Sequence, residues 1–301
     1  MKRTLLFLAT NLAMLATLGL ITALLSALLG QDLAALVGRD WAFLAIFAFV
    51  YGFLGACISL LLSKTIAKMS CGARTIDGSE GPAERWLVDT VASLAASAGV
   101  KTPEVAVYKG SANAFATGAF RNAALVAVST DIMRQMTREE LRAVLGHEMS
   151  HVANGDMVTM TMIQGVLNAF VLFISRAAAG ALATALSGRN RDRRGGMDYG
   201  AYRAIAMFLD MALGLLASLV VLAYSRRREY AADAGSARLL GSPRPMIDAL
   251  KRLGRLQPGV LPGSLRAMGI AGRRESASVW SSHPSLGDRI RALENMVCPA
   301  A

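Results

Sequence analysis

Three histidines occur in the 301-residue chain, and two of them stand four residues apart in Gly146-His147-Glu148-Met149-Ser150-His151. On an α-helix that spacing leaves the two rings ~40° apart around the axis and ~6 Å apart along it. Imidazoles so placed can meet one ion with bonds of about 2.0–2.1 Å. Glu148 follows His147 directly, where it can reach a water on that ion without itself being a ligand. These residue types at this spacing serve metal-assisted hydrolysis, with the glutamate as base. A pair of plain surface histidines is the bland alternative, and the scarcity of histidine in the chain weighs against it.

A catalytic zinc takes three protein ligands and keeps a fourth position open. A histidine six residues beyond His151 would extend the motif, but that position holds Met157. Asp156, five residues on, can serve in principle. Glu229, in Arg226-Arg227-Arg228-Glu229-Tyr230-Ala231-Ala232-Asp233, is the stronger candidate. On a helix Asp233 shares its face, so this carboxylate can hold the far nitrogen of His147 or His151. The competing reading is an exposed acidic pair at i and i+4 beside arginines. The third histidine opens His283-Pro284-Ser285-Leu286-Gly287-Asp288-Arg289. Taken alone, that stretch also reads as a plain helix N-terminus with a solvated Arg289.

The elements that must position these groups follow from local pattern. Thr137-Arg138-Glu139-Glu140 is a capping box, with Thr137 as N-cap, opening the helix that carries His147 and His151. Gly81–Val100 reads as a helix started by Pro82. Glu104–Tyr108, Asn113–Gly118 and Ala123–Ser129 read as short strands, the last two broken by Arg121-Asn122. Gln257–Gly263 reads as an irregular loop.

Composition then sets the surroundings. With 54% hydrophobic and only 18% charged residues, the chain is neither disordered nor an ordinary soluble globule. Thr4–Gly30 and Trp41–Ser63 are uncharged and each long enough to span a bilayer, which predicts an N-terminal transmembrane hairpin. Met157–Ser187 and Ala201–Ser225 form a second pair of apolar runs, carrying Arg176, Arg203 and Asp210. Arg176 and Asp210 can pair across it. Gly188–Gly200, between these runs, is rich in Arg and Gly and reads as mobile. The expected division is therefore a hairpin (1–63), a catalytic segment (64–156), a second hydrophobic hairpin (157–225) and a C-terminal catalytic part (226–301). Because His151 shortly precedes the third run and Glu229 shortly follows the fourth, an antiparallel hairpin would bring them together at one membrane surface.

Lys2 and Arg3 before the first span, and Lys64 and Lys68 after the second, place both ends of the first hairpin in the cytoplasm. Residues 64–156 and 226–301 are then cytoplasmic, although four arginines between Arg189 and Arg194 run against the rule if the second hairpin spans fully. The net charge of +11 is mostly C-terminal: residues 226–301 carry +7, whereas 64–156 is neutral. No aromatic interleaving accompanies it, so the charge fits an anionic leaflet better than nucleic acid. Cys57, Cys71 and Cys298 make no disulfide framework.

These residues resemble the HtpX family of bacterial membrane zinc metalloproteases, more distantly related to the CAAX prenyl endopeptidases. The resemblance spans nearly the whole chain: the N-terminal hairpin, Asn113-Ala114-Phe115-Ala116-Thr117-Gly118, His147–Asp156, Arg226–Ala237 and His283–Arg289. It implies a mostly helical α+β membrane protein with about four hydrophobic helices and a cytoplasmic, gluzincin-like zinc protease domain carrying a small β-sheet. It also implies one Zn2+ per chain held by His147, His151 and Glu229, Glu148 as catalytic base, and Asp233 as outer carboxylate. His283 and Arg289 would stand near the reacting carbonyl, and Asn113, Ala114 and Phe115 would pair with an extended substrate. The implied activity is endoproteolysis of damaged or misfolded membrane proteins, in stress-response quality control at the bacterial cytoplasmic (inner) membrane. Partners are then protein or peptide substrates and the lipid bilayer, with no specific nucleic acid; oligomeric state is unknown. The contrary class is a non-enzymatic membrane transporter or scaffold with a structural zinc, closed by a fourth ligand such as Cys71 or His283.

Overall fold

The computed structural model describes residues 41–187, 199–256 and 281–296, together with Ala27 and Ile270. The first apolar run, Gly188–Asp198, Gln257–Gly263 and Cys298 lie outside the described residues, Ala27 apart. Three described helices are long and apolar enough to cross a membrane, within Phe43–Cys71, Asp156–Ala183 and Tyr199–Leu240.

Helix α1 (Trp41–Cys71) ends at Gly72, whose φ of 60° lets the chain turn out of the helix. Strand β1 (Arg74–Ile76) follows, then α2 (Pro82–Ser97), opened by Pro82 as its pattern requires. Strands β2 (Glu104–Tyr108), β3 (Ala114–Thr117) and β4 (Leu125–Ser129) come next, with Arg121–Ala123 forming a single 3-10 turn that shortens the last expected strand. Helix α3 (Thr130–Gln135) precedes α4 (Arg138–Asn154), in which both halves of the Thr137–Glu140 capping box are made. Gly155, at φ 67°, ends α4 and lets α5 (Asp156–Ser187) start in a new direction. Helix α6 (Tyr199–Leu240) has 42 residues, about 63 Å, roughly twice the thickness of a hydrocarbon layer. It continues past Ser225 because the sequence beyond is alanine-rich and free of proline. One helix thus carries both an apolar run and the Glu229 motif. Helices α7 (Arg244–Arg255) and α8 (Leu286–Glu294) complete the described chain.

Two compact units result. The first holds the described residues up to Gly55 and Gln164–Ser218. Within it Gly52 lets α1 approach α5 so closely that a Cβ there would lie 2.5 Å from the Ala169 nitrogen. Arg176 and Asp210 do pair, at 2.9 Å, and the Ser175 hydroxyl donates to the same carboxylate. Pairing these two half-buried charges satisfies groups that apolar helices could not otherwise carry.

The second unit comprises Ala56–Ile163 and residues from Leu219 onward. Its sheet has the order β1-β2-β4-β3, with β2 and β4 parallel and both edge strands antiparallel to their neighbours. All five residues of β4 are buried, as expected for a central strand covered on both faces. On one face Val105, Val126 and Val128 join Leu87, Val91 and Leu94 of α2 and Leu141, Val144 and Leu145 of α4 in the main core. On the other, Phe115, Leu125 and Tyr108 pack with Ala67 of α1. Met246, Leu250 and Leu253 place α7 in the main core as well, so α4 is enclosed.

Candidate metal centre

Every residue of α4 from Ala143 to Val152 is buried, although His147, Glu148, Ser150 and His151 are polar. Buried polar groups must find partners, and α6, β3, the first residue of α5 and α4 itself supply them. The two helices cross at a reciprocal pair of notches. A Cβ on Gly146 would stand 2.9 Å from the Ser236 hydroxyl, and a Cβ on Gly235 would stand 2.3 Å from that of Ser150. Ser236 donates to the Ala143 carbonyl at 2.7 Å and Ser150 to the Gly146 carbonyl at 2.8 Å, so neither hydroxyl is wasted. This close approach sets Glu229 opposite His147 and His151.

Each histidine is held by its own carboxylate. Nδ1 of His147 lies 2.9 Å from Asp233 Oδ1, and Nδ1 of His151 lies 2.6 Å from Asp156 Oδ2. With Nδ1–H donating outward, both Nε2 atoms turn inward and stand 3.1 Å apart. Glu229 closes the triangle, its Oε1 3.4 Å from His151 Nε2 and its Oε2 3.6 Å from His147 Nε2. Among the described residues, His147, His151 and Glu229 form the one group of three or more such ligands that can meet a single ion. The edges of a tetrahedron with bonds near 2.05 Å measure ~3.3 Å, close to these separations.

Charge supports the same reading. Glu148, Asp156, Glu229 and Asp233 are buried with only Arg228 and Arg289 to balance them, a formal −2. Two ring nitrogens at 3.1 Å also need a proton or a cation between them. Although burial opposes it, the Asp233 and Glu229 carboxylates raise the affinity of His147 for a proton. A divalent ion would neutralise the set and use both lone pairs, so the residues present fit a metal.

Glu148 points from the same helix with its Oε2 accepting the Ala116 N–H of β3 at 2.7 Å. Its Oε1 is buried and makes no hydrogen bond. Burial pushes this carboxyl up to about 8, against the opposing pull of His151 and the Ala116 N–H. Arg289, 1% exposed, grips Asp233 with both fork arms, at 2.7 Å (Nε to Oδ2) and 2.6 Å (Nη2 to Oδ1), and its Nη1 is 3.6 Å from Glu229 Oε2. His283 Nδ1 lies 2.9 Å from Glu229 Oε2, though neither ring nitrogen makes a hydrogen bond. Ser285 caps α8, and Arg226 donates to the Ser281 carbonyl at 3.0 Å, fixing this segment on α6.

Thus His147, Glu148, His151, Glu229, Asp233, His283 and Arg289 converge. The substrate-strand candidates lie one step away. Asn113 Oδ1 accepts the N–H of Ala114, whose carbonyl takes the N–H of Ile270, and the Phe115 side chain is packed in the core beside Tyr108. The neighbour that reaches Glu148 is Ala116. Sequence reasoning did not single out Arg228 or the glycine–serine notches, and it weighed Asp156 as a ligand and not as the partner of His151. The available hint for Asp156 was Gly155, whose left-handed turn folds the next residue back on the last turn of α4.

Residues 82–297 match the profile of Peptidase family M48. A protease HtpX homolog of Verminephrobacter eiseniae is 52% identical across 98% of this chain and 99% of its own length. Another from Leptothrix cholodnii is also 52% identical, with the same coverage. The crystal structure of Ste24p from S. mikatae, at 17% identity, superposes over 95% of this chain and 66% of that protein with a TM-score of 0.57, which is a likeness of fold. With these matches to its sequence and its three membrane-capable helices, the chain belongs to peptidase family M48 and is a membrane-bound metalloendopeptidase.

Proposed function

We propose that this metalloendopeptidase uses zinc, one ion per chain, held by His147, His151 and Glu229. In the same proposal it cleaves damaged or misfolded membrane proteins at the bacterial cytoplasmic membrane, with residues 64–156 and 226–301 on the cytoplasmic side. The observation that carries the zinc reading is the convergence of two braced histidines and one carboxylate within 3.1–3.6 Å, beside a buried glutamate with a free oxygen. Two nitrogens and one oxygen suit zinc, with room for a fourth, exchangeable ligand. A structural site would be closed by another Cys or His; Cys71 is not part of the cluster, and His283, 2.9 Å from Glu229 Oε2, is not among the groups that can meet the one ion.

When bound, zinc supplies Lewis acidity toward water and toward the scissile carbonyl. Glu148 Oε1, without a partner, takes a proton from the attacking water. The N–H of Ala116 keeps Oε2 fixed while this happens. Glu148 then hands the proton to the leaving amine. His283, with unbonded ring nitrogens at the edge of the cluster, donates to the developing oxyanion. Arg289 keeps Asp233 ionised and His147 in the tautomer that presents Nε2, and contributes its positive charge at longer range. The edge strand β3 receives the extended substrate, which displaces the Ile270 N–H from the Ala114 carbonyl.

The test is metal analysis with a cleavage assay in detergent, wild type against Glu148→Gln. Both should carry one zinc per chain, and only the wild type should cleave. Cleavage by freshly purified Glu148→Gln overturns the mechanism. Labelling of single cysteines placed in 64–156, from either side of intact membranes, tests the orientation.

A further inference from the structure

We propose that Asp156 and Arg228 form a second brace of the metal centre, acting on His151 as Asp233 and Arg289 act on His147. Nothing in the metalloendopeptidase assignment requires these two residues. The proposal rests on the zinc reading above and adds positioning residues to it.

The two halves of the site repeat one arrangement. On one side Arg289 binds Asp233, and Asp233 binds His147 Nδ1 at 2.9 Å. On the other, the Arg228 Nε faces Asp156 Oδ2 at 3.9 Å, and Asp156 Oδ2 binds His151 Nδ1 at 2.6 Å. Each guanidinium also faces one oxygen of Glu229, Arg289 Nη1 at 3.6 Å from Oε2 and Arg228 Nη2 at 3.8 Å from Oε1. All four bracing residues are buried, with Arg228 the most accessible at 8%.

The halves differ in tightness. Arg289 spends two charge-assisted bonds on Asp233, whereas the Arg228 Nε is buried and makes no hydrogen bond. Burying a charged donor at that position is costly unless its field is used. What it faces is the pair of carboxylates around His151, and its charge also reaches Glu148. Arg228 offsets part of the buried negative charge beside Asp156, whose carboxylate locks the ring of His151.

The second brace also has a different anchorage. Asp156 is the first residue of α5, directly after Gly155, and Arg228 lies one residue before Glu229 on α6. His151 is therefore oriented by the first residue of α5 together with a residue in the C-terminal part of α6, whereas His147 is oriented by α6 together with α8.

The experiment uses the full-length protein in detergent and reads metal dissociation constants by chelator competition, with the absorption spectrum of the cobalt-substituted protein as a second readout. Neither depends on peptidase activity. Asp156→Asn is expected to weaken metal binding roughly 10- to 100-fold and to alter the cobalt spectrum, as loss of an outer carboxylate does. Arg228→Met should weaken it less, by under about 10-fold. Because Arg228 acts largely through Asp156, its effect should shrink in the Asp156→Asn background. Asp156→Glu, which keeps the charge, should bind metal more tightly than Asp156→Asn and guards against a variant that simply misfolds. Wild-type affinity in Asp156→Asn, equal weakness in Asp156→Glu, or an undiminished Arg228 effect in the double variant would each overturn the brace. Cleavage by Glu148→Gln in the same series would instead overturn the mechanism and leave these metal readouts standing.

Discussion

Replacing Gly235 with alanine should dismantle the metal centre from a distance. The added Cβ would stand 2.3 Å from the Ser150 hydroxyl and 2.7 Å from Ser150 Cβ. The hydroxyl can rotate away, but Cβ is fixed to the backbone of α4. Carbon atoms in contact need about 3.5–4.0 Å, so α4 and α6 must part by roughly 1 Å at their crossing. Metal bonds tolerate about 0.2 Å, and His151 is one residue from Ser150 while Glu229 lies on the other helix. A displacement of that size costs on the order of 100-fold in activity, and metal occupancy should fall with it. Helix propensity alone predicts the opposite sign, a gain of about 1 kcal/mol for glycine to alanine. Ser150→Gly removes both offending atoms and leaves Ser150 Cα 3.9 Å away, an ordinary contact, so the double variant Gly235→Ala/Ser150→Gly should recover metal. Ser150→Ala keeps the Cβ and should not rescue. Gly146→Ala is a milder internal control, because the nearest fixed atoms of Ser236 lie at 3.5 Å. Metal content by mass spectrometry and cleavage of an unfolded protein substrate, both in detergent, decide the matter. Full metal occupancy in Gly235→Ala, or equal rescue by Ser150→Ala and Ser150→Gly, refutes the notch.

Two further outcomes follow from the buried charges. Glu148 has its carboxyl raised by burial from an ordinary 4.5 to about 8, so the metal-free protein prefers it protonated. A raised carboxyl favours folding below pH 4.5, and that contribution is lost as pH rises to 8, by at most about 5 kcal/mol. Metal-free Glu148→Gln should therefore gain melting temperature over metal-free wild type as pH rises through this window and then level off; a pH-independent difference contradicts it. Arg289→Met leaves the Asp233 carboxylate buried without its two bonds and should cost about 3–5 kcal/mol in denaturant titrations. Arg289→Lys should not restore it, since a single ammonium cannot make the fork, and a loss under 1 kcal/mol in Arg289→Met would count against the pairing.

What the sequence revealed is what depends on short-range geometry. Helical period alone places His147 and His151 on one face and Glu229 with Asp233 on another, and the capping box at Thr137 is a contact between residues three apart. Strand β2 is found from its own alternation. Strand β1 is three residues long and exists only because β2 lies beside it. The apolar run ends at Ser225 while α6 continues to Leu240, because hydropathy marks where apolar residues stop, and a helix stops only where its backbone does, at Gly241. Gly146, Ser150, Gly235 and Ser236 look unremarkable singly; their meaning is a crossing between helices 90 residues apart in sequence, which no periodicity encodes. The solvated reading of Arg289 fails for the same reason, since its burial depends on Asp233 coming from another element.

The net charge of +11 and the buried −2 of the site belong to different parts of the molecule and follow different physics. Most of the described basic residues of 226–301 are exposed, where charge acts at long range. The site charges are desolvated, so each must be met at short range, and the arrangement meets them in pairs: Asp233 by Arg289, Asp156 by Arg228 and His151. Glu229 faces two guanidiniums and three imidazoles yet keeps Oε2 without a hydrogen bond, and Glu148 keeps Oε1 likewise. These two oxygens and the two facing Nε2 atoms are unmet acceptors at the centre of the cluster. An ion that takes electron pairs supplies what three of them lack. The fourth, Glu148 Oε1, stays available for a proton, which is the division of labour the proposed mechanism needs: one carboxylate as base, its neighbour as ligand.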